Sequence, residues 1–144
     1  MSAFVDTNIL IYAADKCAPI PKKTQIAREL LRLPGLNLSV QVLNEFTVNA
    51  RHPKKLNLNF EEELRWIECW LRFPVHALST QTFLRARYYQ QKFTLSHWDS
   101  LILASAEGAG CQRVYSEDLN VGQSYEGIEV VNPFASIAED ERKI

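Results

Sequence analysis

Residues 3–14 read AFVDTNILIYAA, and this stretch decides the fold. The apolar run at residues 3–5 has the length of a short buried strand, and the apolar residues of 9–14 fit a short helix. Asp6 stands between them, where a carboxylate can cap the start of a helix. The pattern therefore predicts a strand–turn–helix unit with an acidic residue at the end of the strand.

Short apolar runs and amphipathic segments alternate through the rest of the chain. Further strands are expected at residues 36–38, 73–76, 113–115 and 129–131, the second of them weak. Helices are expected at residues 22–33, 40–50, 59–71, 80–91 and 97–108, with caps at Ser39, Asn59, Thr80 and Ser96. Residues 116–127 are expected to form a turn-rich loop. This alternation predicts a three-layer α/β/α sandwich around a central, mainly parallel sheet of four to five short strands.

The bulk composition suits one ordinary domain. The chain has 144 residues and a formal net charge of -1. We expect one domain over residues 1–137 and a charged tail over 138–144. The weak charge argues against a passive nucleic-acid-binding module, which needs a basic surface. It does not argue against a nuclease, because a bound cation would supply positive charge at the phosphate.

Several protein classes lack their signatures here. The three cysteines include no CxxC pair, which predicts neither a disulfide framework nor a zinc site. Zinc-hydrolase, serine-hydrolase, P-loop and dinucleotide-binding motifs are missing too. The chain shows no signal peptide and no apolar stretch of membrane-spanning length, so we expect a soluble, cytoplasmic protein that does not bind membranes.

Four acidic residues fall where the predicted elements meet at one edge of the sheet. In a parallel α/β sheet, strand ends and helix starts share this edge, and ligands bind there. Asp6 ends the first strand and Asp118 follows the strand at 113–115. Glu45 and Asp99 lie in the first two turns of their helices. We therefore expect these four carboxylates to share a site.

Each acid also has a plain structural interpretation. Asp6 could only cap a helix, and Glu45 could be a solvent-exposed residue at the margin of an apolar face. Asp99 stands at capping-box spacing from its helix cap. Asp118 could belong to a polar turn, where the adjacent Glu117 could take its place.

Asp99 is the most informative of the four. It lies in the sequence WDSLILASA, where helical spacing places it among Ile102, Leu103 and Ala106. An ionised carboxylate on such an apolar helix costs several kcal/mol unless it is paired or bound to a metal. The chain offers no adjacent lysine or arginine, so a metal ion is the simplest partner.

The chemistry of the acids predicts a metal and a reaction. Hard oxygen ligands select Mg²⁺ or Mn²⁺, and crowded carboxylates raise the pKa of at least one member. One or two such ions would activate water against a phosphodiester bond, with Glu45 or Asp118 helping to take its proton. The basic stretch Arg51, Lys54 and Lys55 could contact phosphates or could be a solvated loop.

Two other classes of protein fit the sequence less well. An aspartate-based phosphatase would need a second acid two residues after Asp6, where Asn8 stands, and a phospho-receiver would need a lysine that residues 116–118 lack. A non-catalytic binding protein of the same fold is disfavoured, because keeping four unpaired acids is destabilising.

Four segments, in this order, resemble the PIN-domain family. They are FVDTNILIYAAD, LNEF, LSHWDSLILASA and VYSEDLNVGQSYEGIEVVNPF, and the likeness runs from Phe4 to Phe134. The chain is similar in particular to the VapC-type toxins of bacterial type II toxin–antitoxin systems. The resemblance implies a parallel sheet between helices and Mg²⁺ or Mn²⁺ held by three or four acids.

The family's site residues can be matched one by one. Asp6, Glu45 and Asp99 match the first three acids, and Asp118 matches the fourth, with Ser116 as its hydroxyl neighbour. Thr7 and Asn8 match the polar pair that follows the first acid.

The resemblance also implies an activity and partners. It implies an endoribonuclease that leaves a 5′-phosphate and a 3′-hydroxyl, a small antitoxin that covers the active site, and a homodimer. Alternatives within the family are an RNA-processing nuclease that is not a toxin and a catalytically silent protein that binds metal or RNA.

Overall fold

The computed structural model describes residues 2–120 and 122–137. The predicted charged tail at residues 138–144 lies outside the described residues. The strands are β1 Ala3–Val5, β2 Leu36–Ser39, β3 Val75–His76, β4 Arg113–Tyr115, β5 Ser124–Tyr125 and β6 Ile128–Val131. The helices are α1 Thr7–Ala14, α2 Pro21–Leu30, α3 Val40–Arg51, α4 Phe60–Trp70, α5 Thr80–Phe93 and α6 His97–Gly108.

The sheet has the strand order β3-β2-β1-β4-β6-β5, and every neighbouring pair except β5 and β6 is parallel. β1 lies between β2 and β4, with Phe4 beside Asn37 on one side and Val5 beside Tyr115 on the other. Helices separate β1, β2, β3 and β4 along the chain, as is usual for crossover connections, whereas the segment between the parallel strands β4 and β6 contains β5. The predicted three-layer sandwich around a mainly parallel sheet is therefore confirmed.

The parallel register aligns the ends of β1 and β4. The backbone N–H of Asp6 donates to the carbonyl of Tyr115 at 3.0 Å, so the residues after these two strands are neighbours. α1 and α3 begin directly after β1 and β2 at the same edge. This edge carries the acidic residues discussed below.

The number of strands exceeds the expectation of four to five. The segment at 116–127, expected to be a loop, contains β5, which pairs antiparallel with β6 through a tight turn. In this turn Glu126 and Gly127 have φ values of 54° and 88°, the left-handed conformations that match the twist of a two-residue hairpin. A two-residue strand is too short to show a periodic pattern, and glutamate at positive φ is an uncommon turn signal.

The helix boundaries shift by a few residues at most. Thr80 was expected to cap α5, but the cap is Ser79, whose hydroxyl accepts from the N–H of Thr82 at 3.1 Å. α5 continues to Phe93, and the residue that caps its end, Thr94, adopts a left-handed conformation. The caps expected at Ser39, Asn59 and Ser96 are confirmed, and Asn59 forms a full capping box with Glu62.

The core lies around the central strands and α6. Phe4, Val5 and Val114 of the sheet are fully buried, as are Leu103 and Ala106 of α6. Within the described residues, no helix is both long enough and apolar enough to cross a membrane.

Candidate active site

The four acids predicted from the sequence line one cavity of about 260 Å³ at the carboxyl edge of the sheet. They come from four separate parts of the chain. The walls are Asp6, Thr7, Asn8, Ile11, Glu45, Asn49, Trp98, Asp99, Ile102 and Asp118. The expectation that these carboxylates meet at one place is supported by this geometry.

Asp6 is buried at the end of β1 and is held by two hydrogen bonds. Its Oδ1 accepts from the backbone N–H of Thr7 at 2.7 Å, and its Oδ2 accepts from the hydroxyl of Ser116 at 2.7 Å. Burial raises the pKa of Asp6 to about 7, against the effect of these bonds, and Glu45 and Asp118 add repulsion. Asp6 therefore caps α1 and also lines the cavity.

Glu45 reaches the cavity from α3, where it lies half-buried between buried Val42 and exposed Val48. Its Oε2 accepts from the hydroxyl of Thr7 at 2.6 Å, and its Oε1 accepts from the amide of Gln41 at 2.8 Å. Both carboxylate oxygens are thus held in place. A solvent-exposed glutamate would not need such partners.

Asp99 lies in the first turn of α6, half-buried beside Ile102. Its backbone N–H donates to the hydroxyl of Ser96 at 3.1 Å, so the capping interaction exists. Burial raises the pKa of Asp99, and the nearby charges of Asp118 and Glu45 raise it further. Its carboxylate therefore faces other acids.

Asp118 and Glu117 point to different surroundings. Asp118 is exposed at the cavity, where its Oδ2 accepts from the amide of Asn8 at 3.0 Å. Glu117 instead forms an ion pair with Lys23 at 3.0 Å and accepts from the hydroxyl of Tyr12 at 2.8 Å. The structure therefore brings Asp118, and not Glu117, to the other three acids.

Ser116 connects the first and fourth acids. Its buried hydroxyl donates to Asp6 and accepts from the backbone N–H of Asp118 at 3.1 Å and the amide of Asn8 at 3.4 Å. Thr7 holds Glu45 in the same way. The three polar residues that the sequence placed around the acids, Thr7, Asn8 and Ser116, thus orient carboxylates.

Within the described part of the chain, the acidic cluster has no cationic side chain beside it. Among residues 2–120 and 122–137, none of the four carboxylates has a Lys, Arg or His nitrogen within 4.0 Å. Nor do three His, Cys, Asp or Glu side chains of these residues converge closely enough to form a ready-made metal chelate. Mg²⁺ binds through only one or two carboxylates and keeps several waters, so oxygen donors around an open cavity fit it.

Comparison with models of known protein families shows to which family the chain belongs. The family model of the PIN domain matches residues 3–127, which is most of the chain. The protein belongs to the PIN domain family. Comparison with curated protein sequences finds no match.

Solved structures share the fold of this PIN domain. A toxin–antitoxin complex from Klebsiella pneumoniae has a chain that is 24% identical, with a TM-score of 0.68 over 92% of this chain and 98% of that one. VapC20 of Mycobacterium tuberculosis is 19% identical, with a TM-score of 0.65 over 81% and 90% of the two chains. VapBC2 of Rickettsia felis, bound to promoter DNA, is 16% identical, with a TM-score of 0.65 over 92% and 98%.

Arg51, Lys54 and Lys55, the basic residues considered for phosphate binding, do not share the same surroundings. Arg51 forms an ion pair with Glu63 at 3.3 Å and lies over the ring of Phe60. Lys54 and Lys55 line a second cavity of about 520 Å³ together with Lys16. Ile11 lines both this cavity and the acidic one, so the two are adjacent.

Sequence reasoning missed residues that complete the site of this PIN domain. Gln41 holds Glu45 and also donates to the backbone carbonyl of Trp98 at 3.2 Å, which links α3 to α6. Asn49 and Trp98 line the acidic cavity. Gln41, Glu45 and Asn49 follow one another at a spacing of four residues, which places them on one helix face. This spacing could have identified Gln41 and Asn49 from the sequence.

Proposed function

We propose that this PIN domain is an endoribonuclease that depends on Mg²⁺ or Mn²⁺ and acts as the toxin of a toxin–antitoxin pair. The observation that carries the proposal is the cavity lined by four carboxylates that lack a cation partner among the described residues. Burying the charge of Asp6 and crowding it with three other carboxylates is costly unless a cation joins them. A divalent ion is the partner that this arrangement favours.

The solved relatives support the same class of activity. The structure from Klebsiella pneumoniae is described as a toxin–antitoxin complex, and VapC20 is described as a toxin that cleaves the sarcin–ricin loop. A nuclease function, and a role in such a pair, agree with the family and with the acidic cavity.

The carboxylates of Asp6, Glu45, Asp99 and Asp118 would hold one or two ions, some of them directly and the others through metal-bound water. When bound, the ion supplies a Lewis acid that polarises the scissile phosphate and lowers the pKa of a water molecule. The hydroxyl of Ser116 keeps the carboxylate of Asp6 oriented, and the hydroxyl of Thr7 keeps that of Glu45 oriented. One carboxylate, either Glu45 or Asp118, is proposed to help accept the proton of the attacking water.

The substrate is proposed to be RNA whose backbone crosses from the acidic cavity to the lysine-lined one. Lys54 and Lys55 contribute positive charge there, while Arg51 already has an acidic partner. Phosphate contacts of this kind position a nucleic acid without reading its sequence.

The proposal includes protein partners. A small antitoxin is expected to cover the acidic cavity, and the chain is expected to form a homodimer. Light scattering after size-exclusion chromatography measures whether the chain dimerises. Repeating it with the protein encoded beside the toxin gene measures whether that protein binds.

The decisive test compares two isosteric substitutions. Asp99→Asn removes a charge from the cavity, whereas Glu117→Gln removes one from the adjacent ion pair with Lys23. With Mg²⁺ or Mn²⁺ and labelled RNA, we expect Asp99→Asn to abolish cleavage and Glu117→Gln to retain it. Sequencing the 5′ ends of the products identifies the cut and its 5′-phosphate.

Three results would redirect the proposal. Full cleavage by the wild type in excess EDTA excludes metal dependence. Metal binding by calorimetry without cleavage of RNA indicates a silent PIN domain. Cleavage without growth arrest when the gene is expressed in a bacterium indicates an RNA-processing nuclease that is not a toxin.

A further inference from the structure

A groove of about 480 Å³ adjoins the acidic cavity on the side of α3 and α6. Its lining residues are Gln41, Asn44, Glu45, Val48, Asn49, Leu78 and Trp98. Glu45, Asn49 and Trp98 line both spaces, so the groove is continuous with the proposed active site.

The groove has an exposed apolar wall. The side chain of Trp98 is 62% exposed although it neighbours the buried core of α6, and Val48 is 69% exposed. The ring of His97 meets the Trp98 ring edge-on, with 5.2 Å between their centroids, and Phe83 in turn packs edge-on against His97. Trp98 is therefore a braced aromatic surface that faces solvent beside four acids.

Gln41 adds an unmatched hydrogen-bond acceptor to the groove. Its amide Nε2 donates to Glu45 and to the carbonyl of Trp98, which determines the orientation of the amide. Its Oε1 accepts no hydrogen bond from the described residues, although Gln41 is only 3% exposed. A buried acceptor without a donor is costly, and an N–H group of a ligand would satisfy it.

We propose that this groove binds a nucleobase of single-stranded RNA, stacked on the indole of Trp98, next to the phosphate that enters the acidic cavity. An aromatic surface suits the face of a base, and amides such as those of Gln41 and Asn49 suit its polar edge. The inference rests on the proposed nuclease function, because the acidic cavity determines where the adjoining phosphate lies.

The test measures binding, not catalysis. Two fluorescein-labelled probes are compared: a single-stranded RNA and a ribose-phosphate chain of the same length that carries no bases. Both have about ten nucleotides, a length that suits a single-strand binding site. Binding is followed by anisotropy with Mg²⁺ in the Asp99→Asn background, and a gel confirms that the probe stays intact. The variants are Trp98→Ala, Trp98→Phe and, as a control with a matched exposure of 61%, Leu84→Ala on α5.

We expect Trp98→Ala to weaken RNA binding by about 5- to 150-fold, the range for losing one stacked base. Trp98→Phe keeps a stacking surface and should bind within about threefold of the parent, and Leu84→Ala should match the parent. Binding of the base-free chain should be the same for all four proteins. A merely structural role of Trp98 would weaken both probes together.

The outcomes distinguish this inference from the proposed function. If the wild type cleaves RNA but Trp98→Ala binds it as tightly as the parent, the base-binding groove is refuted and the nuclease stands. The same result is expected if the groove receives a protein segment instead of a base. If the wild type neither binds nor cleaves RNA, both proposals fail.

Discussion

Neutralising Asp6 should remove a pH-dependent loss of stability from the metal-free protein. The pKa of this carboxyl rises from 3.8 to about 7 on folding, chiefly because the group is buried. The folded protein then keeps its proton to higher pH than the unfolded chain does. The free energy of unfolding therefore falls as the pH rises from about 4 to about 7 and levels off above that.

The size of this effect follows from the same values. Each pH unit between the two pKa values is worth about 1.4 kcal/mol, so the ionised Asp6 costs about 4 kcal/mol at pH 8 relative to acid solution. Between pH 5 and pH 8 the expected loss is about 3 kcal/mol. Asp6→Asn cannot ionise and keeps a side-chain oxygen for the N–H of Thr7.

Urea unfolding in EDTA at pH 5 and pH 8 measures the difference between the wild type and Asp6→Asn. Subtracting the variant from the wild type isolates Asp6 from the other titrating groups. At pH 8, Mg²⁺ at a hundred times its dissociation constant should stabilise the wild type by about 2.7 kcal/mol. At pH 5 the same concentration should stabilise it less, because the proton on Asp6 competes with the metal. An equal dependence on pH in both proteins would refute the assigned burial cost.

Three further results are expected from the site. Thr7→Val removes the hydroxyl that donates to Glu45 at 2.6 Å. The rate of RNA cleavage should fall about 10- to 100-fold, and the free energy of unfolding, measured in urea, should fall by about 1 kcal/mol. Asp118→Asn should weaken Mg²⁺ binding in calorimetry, and an unchanged affinity would remove this residue from the metal site. Replacing both Lys54 and Lys55 by alanine should lower the slope of log affinity for RNA against log salt by about 1.4, whereas a wild-type slope would place RNA elsewhere.

The sequence was sufficient to predict that the four acids lie at one edge of the sheet, because their positions follow from local rules. Asp6 directly follows a recognisable strand, and Asp99 stands beside the apolar run at residues 101–104 of α6. The rule that strand ends and helix starts share one sheet edge then brings them together without coordinates. Glu45 and Asp118 were found by the same rule, which depends only on chain order and strand direction.

Other features depend on contacts between distant segments, and local patterns do not report these. The segregation of Glu117 from Asp118 arises because Lys23 and Tyr12, on α2 and α1, reach the former. The strand β5 exists only because it pairs with β6.

The amino-acid sequence by itself determined the class of fold and the identity of the acids, since hydrophobic periodicity and the alternation of strands with helices are encoded locally. Only the tertiary structure decided how each acid is held, which neighbours raise its pKa, and that an exposed tryptophan borders the same cavity. These properties come from burial and from hydrogen bonds between residues far apart in the chain, such as Ser116 and Asp6. Desolvation and long-range contacts arise when the chain packs, and no local pattern contains them.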